Sequence, residues 1–124
     1  MSNKKKTILI VDDSRVSRMM LKSQVQHLKP DWLILEANNG EEACEIVKEN
    51  TSIDYFSIDL NMPGMDGLEL IAKLQSTFAT SRMALLTANI QEEVFNRAIK
   101  HGAACFHKPI TEKVMNSLLE YFHE

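Results

Sequence analysis

The stretch SIDLNMPGMDGLEL, residues 57–70, joins the end of an apolar run to a turn rich in proline and glycine, with Asp59 at the junction. The run IDYFSI at 53–58 has the composition of a buried strand. An ionised carboxylate at the end of such a strand costs free energy unless a cation, a lysine or a reaction compensates it. A partner for Asp59 must therefore come from elsewhere in the chain.

Length and composition indicate one globular domain. Of the 124 residues, 44% are hydrophobic and 25% are charged, with no low-complexity tract. We predict a single domain over 1–124, a flexible basic N-terminal arm at 1–6 and no output domain after the last helix. The net charge of -3 argues against nucleic acid as a partner. No apolar run approaches the ~20 residues that cross a bilayer, so we expect a cytoplasmic protein without membrane insertion.

Five short apolar runs alternate with segments of helical spacing. The runs are mostly continuous, as in strands that are covered on both faces of a parallel sheet. They are ILIV at 8–11, WLIL at 32–35, IDYFSI at 53–58, MALLTA at 83–88 and ACF at 104–106. Five βα units predict an α/β fold, a three-layer (βα)5 sandwich with a flavodoxin-like, doubly wound parallel five-stranded sheet of order 2-1-3-4-5.

Polar residues stand at the predicted carboxyl ends of four strands. Asp12 and Asp13 follow the first strand, Asp59 ends the third, Thr87 lies in the fourth and Lys108 follows the fifth. Ligands of such sheets bind at this edge, where the strand order reverses. We therefore expect three carboxylates, a hydroxyl and an ammonium to meet there. The second strand contributes no evident partner.

Three adjacent carboxylates repel one another and have raised pKa values unless a cation lies among them. Mg²⁺ suits such a site because it takes a few carboxylates and shares its other positions with water and phosphate oxygens. Lys108 offers a positive charge for an anion, and Thr87 offers a hydrogen-bond donor. The pattern favours a site that holds a phosphoryl group on or near a carboxylate.

Each of these residues also has a purely structural explanation. Asp13 or Ser14 could cap the first helix, Thr87 could be an ordinary strand residue, and Lys108 before Pro109 could be a surface lysine. The convergence of four strand ends on one chemistry is what favours the functional explanation.

The chain resembles the receiver domain of two-component response regulators, in particular CheY-like, stand-alone receivers. The resemblance is carried by VDDSRVSRMML at 11–21, SIDLNMPGMDGLELI at 57–71, ALLTAN at 84–89 and FHKPIT at 106–111. It implies that Asp59 is the phosphoacceptor, which takes a phosphoryl group from the phosphohistidine of a sensor histidine kinase. It also implies a Mg²⁺ site of Asp13, Asp59 and the main-chain carbonyl of Asn61, with Asp12 acting mainly through water.

The same resemblance gives roles to the residues around the phosphoacceptor. Lys108 is expected to pair with phosphoryl oxygens, and the Lys108-Pro109 peptide is expected to be cis. Thr87 is expected to turn its hydroxyl toward the phosphoryl group beside the small Ala88. In the MPGMDG turn, we expect Gly67 to adopt a backbone angle that other residues resist.

One switch position is ambiguous. Receivers usually carry an aromatic residue three positions before the lysine, which here gives Cys105. Counting forward from Gly102 gives Phe106 instead, because this segment is one residue shorter than usual. If the register follows the lysine, the readout depends on Thr87 and the fourth helix, and Phe106 is a core residue.

The leading prediction is a signalling switch that assists only its own phosphorylation and dephosphorylation and is not otherwise an enzyme. Phosphorylation of Asp59 would change affinity for a downstream target protein, with chemotaxis as one setting. The alternative is a relay or phosphate sink that passes the group to a histidine-phosphotransfer protein. A small-molecule phosphatase is disfavoured, because Asn61 stands where that chemistry uses a second carboxylate.

Overall fold

A computed structural model describes residues 5–123. Its elements are β1 (Thr7–Val11), α1 (Arg15–Leu28), β2 (Leu33–Ala37), α2 (Gly40–Glu49), β3 (Tyr55–Asp59), α3 (Gly67–Gln75), β4 (Arg82–Thr87), α4 (Glu92–Lys100), β5 (Ala103–His107) and α5 (Glu112–His123). The sequence predicts all five strands to within two residues at each end. The predicted N-terminal arm lies outside the described residues except for Lys5 and Lys6, which are exposed.

The five strands form one parallel sheet in the order β2-β1-β3-β4-β5. This order confirms the doubly wound, flavodoxin-like topology. The chain turns back across the sheet between β1 and β3, so the carboxyl ends of these two strands border the crevice where such folds place their ligands. Among residues 5–123, no helix is both long and apolar enough to span a membrane.

Two hydrophobic cores lie on opposite faces of the sheet. One core packs β-strand side chains against α2, α3 and α4, and the other packs them against α1 and α5. Neighbouring residues of a strand contribute to different cores because side chains alternate between faces. Leu85, for example, packs under the first set of helices and Leu86 under the second. The inner strands are buried, whereas the edge strands β2 and β5 are partly exposed.

Four helices begin with a side chain that accepts a hydrogen bond from a main-chain N–H in the first turn. At α1 the acceptor is Ser14, which decides between the two candidate caps and leaves the Asp13 carboxylate available. At α3 the cap is reciprocal, since Glu69 also accepts from the main-chain N–H of Asp66. The four capping residues are Ser14, Asn39, Asp66 and Thr111.

The prediction for Gly67 is wrong in its physical reason. Within the described chain, positive φ occurs at Gly64 and Gly102, both at 76°, and not at Gly67. What Gly67 allows is a close approach. A Cβ there would overlap the main-chain oxygen of Asp59 and would lie 2.9 Å from the Cα of Leu60. Helix α3 therefore begins in direct contact with the end of β3, and only a residue without a side chain fits.

Candidate functional site

Three carboxylates meet at the crevice between β1 and β3. Asp12 and Asp13 follow β1, Asp59 ends β3, and one oxygen from each lies within 4.8 Å of the other two. Asp12 and Asp59 are buried, whereas Asp13 is exposed. The structure thus brings together the three aspartates that the sequence predicts, and it leaves one side of the cluster open to solvent.

Lys108 supplies the positive charge that the buried carboxylates need. Its Nζ donates to Asp12 Oδ2 at 3.0 Å and to Asp59 Oδ1 at 3.2 Å. Its main-chain N–H donates to the Thr87 carbonyl at 2.9 Å, and the Lys108-Pro109 peptide is cis, as expected. Burial alone would lower the pKa of Lys108, but the hydrogen bonds and charges of Asp12 and Asp59 raise it above its usual value.

Asp59 is a weaker acid than an ordinary aspartate. Burial and the neighbouring charge of Asp12 raise its pKa to about 6, and the Lys108 ammonium opposes them only in part. Burial is the larger cause, and the crowding of carboxylates adds to it. The carboxyl is ionised at neutral pH and becomes protonated in mildly acidic solution.

Thr87 and Ala88 lie beside the cluster. Thr87 is the last residue of β4 and only 1% exposed. It stands one residue beyond Leu86, the cross-strand partner of Asp59. The Thr87 Oγ1 accepts from the Asn89 N–H at 3.3 Å, so its hydroxyl proton can still be donated. Ala88 lines a cavity of about 260 Å³ next to Lys108.

The turn after β3 holds Asn61 two residues from Asp59. It is fixed at Leu60, whose N–H donates to the Leu86 carbonyl and whose carbonyl accepts from the Gly67 N–H, both at 2.9 Å. The Asn61 side chain is exposed. The role of its main-chain carbonyl as a metal ligand stays a prediction.

Cys105 and Phe106 lie on opposite faces of the sheet. Cys105 pairs with Leu85 and packs on the face that α4 covers, whereas Phe106 packs on the α5 face with its ring 5.7 Å from that of Tyr121. Thr87 is two residues beyond Leu85, so its side chain points to the same face as Cys105. The geometry thus groups Thr87, Cys105 and α4, and separates Phe106 from them.

The sequence does not predict the contacts that fix Asp12. Its Oδ1 accepts from the Ser14 N–H at 2.9 Å, and its carbonyl accepts from Arg18 Nη1 at 2.6 Å. Arg18 is in turn paired with Glu36 of β2. Contrary to expectation, the second strand therefore contributes to the site, because Glu36 holds Arg18 and Arg18 contacts Asp12. Glu36 is the one charged residue of β2, and its charge in an otherwise uncharged strand is the sequence feature that could have indicated this contact.

The cluster fits a hard divalent cation. One ammonium against three carboxylates leaves two negative charges uncompensated, and the carboxylate oxygens are close enough to share one ion. Mg²⁺ is bound in proteins by one or two carboxylates, with water or phosphate at its other positions. The exposed side at Asp13 gives such ligands access.

This fold and this acidic site define the receiver class of α/β domains. The family model for the response regulator receiver domain matches residues 8–120, and the chain belongs to that family.

Curated relatives and a solved structure agree with this assignment. The chain is 38% identical over 98 residues to the nitrate/nitrite response regulator protein NarL of Escherichia coli K12, covering 78% of this chain and 44% of NarL. It is 32% identical over 124 residues to the sensor histidine kinase RcsC of Salmonella typhimurium LT2, covering 99% of this chain and 13% of RcsC. The chain thus spans less than half the length of either relative.

The structure of the Vibrio cholerae chemotaxis protein CheY4 has the same fold. It aligns with a TM-score of 0.85 at 24% identity, covering 94% of this chain and 98% of CheY4. At this identity the likeness is one of fold.

Proposed function

We propose that this receiver domain is a phosphorylation-controlled signalling switch whose phosphoacceptor is Asp59. The observation that carries the proposal is a buried carboxylate, with a pKa of about 6, that contacts a lysine and shares an open crevice with two further aspartates. An oxygen of ionised Asp59 attacks the phosphorus of a phosphohistidine. A P–O bond forms and the P–N bond breaks. The electron pair of that bond goes to the histidine nitrogen, which takes up a proton.

Lys108 and Thr87 hold the transferred group in this proposal. Lys108 stays protonated because its pKa is raised, so it can leave Asp59 and pair with a phosphoryl oxygen. The Thr87 hydroxyl donates a hydrogen bond to another phosphoryl oxygen, with Ala88 leaving room for access. Asp13, Asp59 and the Asn61 carbonyl would hold Mg²⁺, with Asp12 acting mainly through water, and the ion would supply positive charge to offset that of the phosphoryl oxygens.

The signal leaves the site through the face that carries α4. Thr87 and Cys105 share that face, so movement of the Thr87 side chain alters packing toward α4. Phe106 serves as a core residue against Tyr121. Phe95 and Ile99 of α4 are 44% and 54% exposed and offer apolar contact to a target protein.

The partners that we propose are a sensor histidine kinase as donor and a downstream protein as target. The similarity to NarL and RcsC, one named a response regulator and the other a sensor kinase, supports a phosphotransfer setting. We place the reaction in the cytoplasm without nucleic acid, in keeping with the net charge of -3 and the free thiols of Cys44 and Cys105. The chemotaxis and single-domain predictions stay predictions.

The match to part of RcsC favours a second candidate function, a relay. In that case the acyl phosphate on Asp59 is passed on to a histidine of a phosphotransfer protein. Beyond these transfers to and from its own carboxylate, the domain is not an enzyme in this proposal.

Intact-protein mass spectrometry tests the proposal. The chain is incubated with acetyl phosphate and Mg²⁺, beside Asp59→Asn and the control Asp31→Asn, whose carboxylate is exposed and lies between α1 and β2. We expect one phosphoryl group on the wild type and on Asp31→Asn, and none on Asp59→Asn or after chelation. A phosphoryl group that persists in Asp59→Asn would refute the assignment. Rapid loss to an added histidine-phosphotransfer domain would favour the relay.

A further inference from the structure

The side chain of Arg18 contacts the main chain of Asp12, one of the three aspartates of the site. The side chain of Arg18 extends from α1 and is 16% exposed, and its Nη1 donates to the Asp12 carbonyl oxygen at 2.6 Å. That oxygen belongs to the peptide that joins Asp12 to Asp13. Because a peptide unit is planar, fixing its oxygen fixes the orientation of the Cα atoms of both aspartates.

Glu36 and Asn38 hold the Arg18 guanidinium in place. Arg18 Nε donates to Glu36 Oε1 at 3.3 Å, and Nη1 also donates to Asn38 Oδ1 at 3.3 Å. Glu36 accepts in addition from Lys22 Nζ at 2.9 Å. The hydrogen bond from Lys22 lowers the pKa of Glu36 against the effect of its partial burial, and Arg18 lowers it further, so Glu36 stays ionised. A guanidinium group that donates to several acceptors keeps one orientation.

The main-chain N–H of Asp12 is held by β2. The Asp12 N–H donates to the Ala37 carbonyl at 3.1 Å. Asp12 is thus held at its N–H by the end of β2, at its side chain by Ser14 and Lys108, and at its carbonyl by Arg18. Of these contacts, only the one from Arg18 bears on the peptide between the two aspartates.

We propose that Arg18 is a positioning residue for the acidic site, which orients the Asp12-Asp13 peptide so that both carboxylates face the cation. The role rests on the Mg²⁺ site of the proposed function, but Arg18 itself touches neither the metal nor the phosphoryl group. Glu36 acts one step further out by orienting Arg18. Partners of this kind matter because they fix where the ligand atoms point.

A simple charge effect predicts the opposite result. A guanidinium near three carboxylates repels a divalent cation, so removing it would strengthen Mg²⁺ binding if charge alone mattered. Removing an orienting contact weakens Mg²⁺ binding instead. The sign of the change in affinity therefore separates the two effects.

Titration calorimetry of Mg²⁺ into the full, unphosphorylated chain is the test. The variants are Arg18→Gln, the charge-preserving Arg18→Lys, and the control Lys22→Gln, which removes a positive charge from the same Glu36 but has no bond to Asp12 in the described contacts. We expect Arg18→Gln to weaken binding about tenfold, the lower end of the range for outer partners of metal ligands. Arg18→Lys weakens it less, and Lys22→Gln leaves it unchanged.

Amide hydrogen exchange on the metal-free chain gives an independent readout. The Asp12 N–H donates to the Ala37 carbonyl and the Ser14 N–H donates to the Asp12 carboxylate, so both amides should exchange faster when the peptide between them is loosened in Arg18→Gln, and not in Lys22→Gln. Should Arg18→Gln fail to fold, Arg18→Lys keeps the charge and loses the guanidinium contacts, so weaker Mg²⁺ binding by this variant supports the positioning role and unchanged binding overturns it.

The outcomes separate the two proposals. Equal or tighter Mg²⁺ binding by Arg18→Gln, with normal binding by the wild type, would overturn the positioning role and leave the proposed function intact. Absence of binding by the wild type would overturn the metal site itself, and the positioning role with it.

Discussion

Asp59 is 6% exposed, and its surroundings raise the pKa of its carboxyl from an ordinary value of 3.8 to about 6. Below the lower value the carboxyl is protonated in both the folded and the unfolded chain. Between the two values only the unfolded chain gives up its proton, so rising pH lowers the free energy of unfolding. Above pH 6 the full cost is present, and its size is at most about 3 kcal/mol.

We therefore predict that Asp59→Asn raises the free energy of unfolding at pH 7.5 in the absence of Mg²⁺. The gain should be about 1–3 kcal/mol, and it should shrink to nothing near pH 4, because the cost that it removes exists only when the wild-type carboxyl is ionised in the fold. Urea denaturation between pH 4 and pH 7.5 with a chelator measures it. Asp31→Asn is the control for a general effect of charge. A gain that does not vary with pH would contradict the titration of Asp59.

Single residues of the site are predictable where a polar side chain interrupts an apolar pattern. Asp59 and Lys108 stand out in this way, because each follows a run that reads as a strand. Arg18 does not stand out, since a polar residue on an amphipathic helix is expected on every exposed face. Its partner, the Asp12 carbonyl, has no sequence signature at all.

The junction of β3 and α3 depends on Gly67, the first residue of that helix. We predict that Gly67→Ala lowers the free energy of unfolding by about 1–3 kcal/mol, because the added methyl meets main-chain atoms of Asp59 and Leu60 that cannot rotate away. Gly40 is the matched control, since it is the first residue of α2 and the three atoms nearest to a methyl there would belong to the Met65 side chain, at 3.0 to 3.3 Å, and not to the main chain.

Urea denaturation of the two alanine variants distinguishes them. Gly40→Ala should change the free energy of unfolding by no more than about 0.5 kcal/mol. An equal loss of the free energy of unfolding in both variants would show that the first position of these helices, and not the contact with β3, excludes a side chain at Gly67.

Elements are more predictable than the faces that their residues occupy. The run at 104–106 correctly predicts β5, to within one residue at each end. Counting residues from Gly102 or from Lys108 gives opposite faces for Phe106, because side chains alternate and a change of one residue exchanges the two faces. The pairing of β4 with β5 is what decides between them.

The two ends of the molecule are joined by the sheet. The chain's one tryptophan, Trp32, packs its ring 4.8 Å from that of Tyr55, the first residue of β3, whereas Asp59 is the last. Four residues of strand separate the two ends of β3 by about 13 Å. Trp32 therefore reports on unfolding of the whole domain and not on the immediate surroundings of the acidic site.

We predict that Mg²⁺ leaves the Trp32 emission of the folded chain unchanged and yet raises the urea midpoint that this emission reports. An ion that binds only the folded state stabilises it by mass action, by about 2.7 kcal/mol at a hundredfold excess over the dissociation constant. The slope of the transition should stay constant, since the surface exposed on unfolding is the same. Fluorescence and far-ultraviolet circular dichroism, with NaCl at matched ionic strength as control, measure both effects.

A change of Trp32 emission on adding Mg²⁺ without urea would mean that the site alters the packing at the far end. Transitions that differ between the two methods would mean that the two ends do not unfold as one unit.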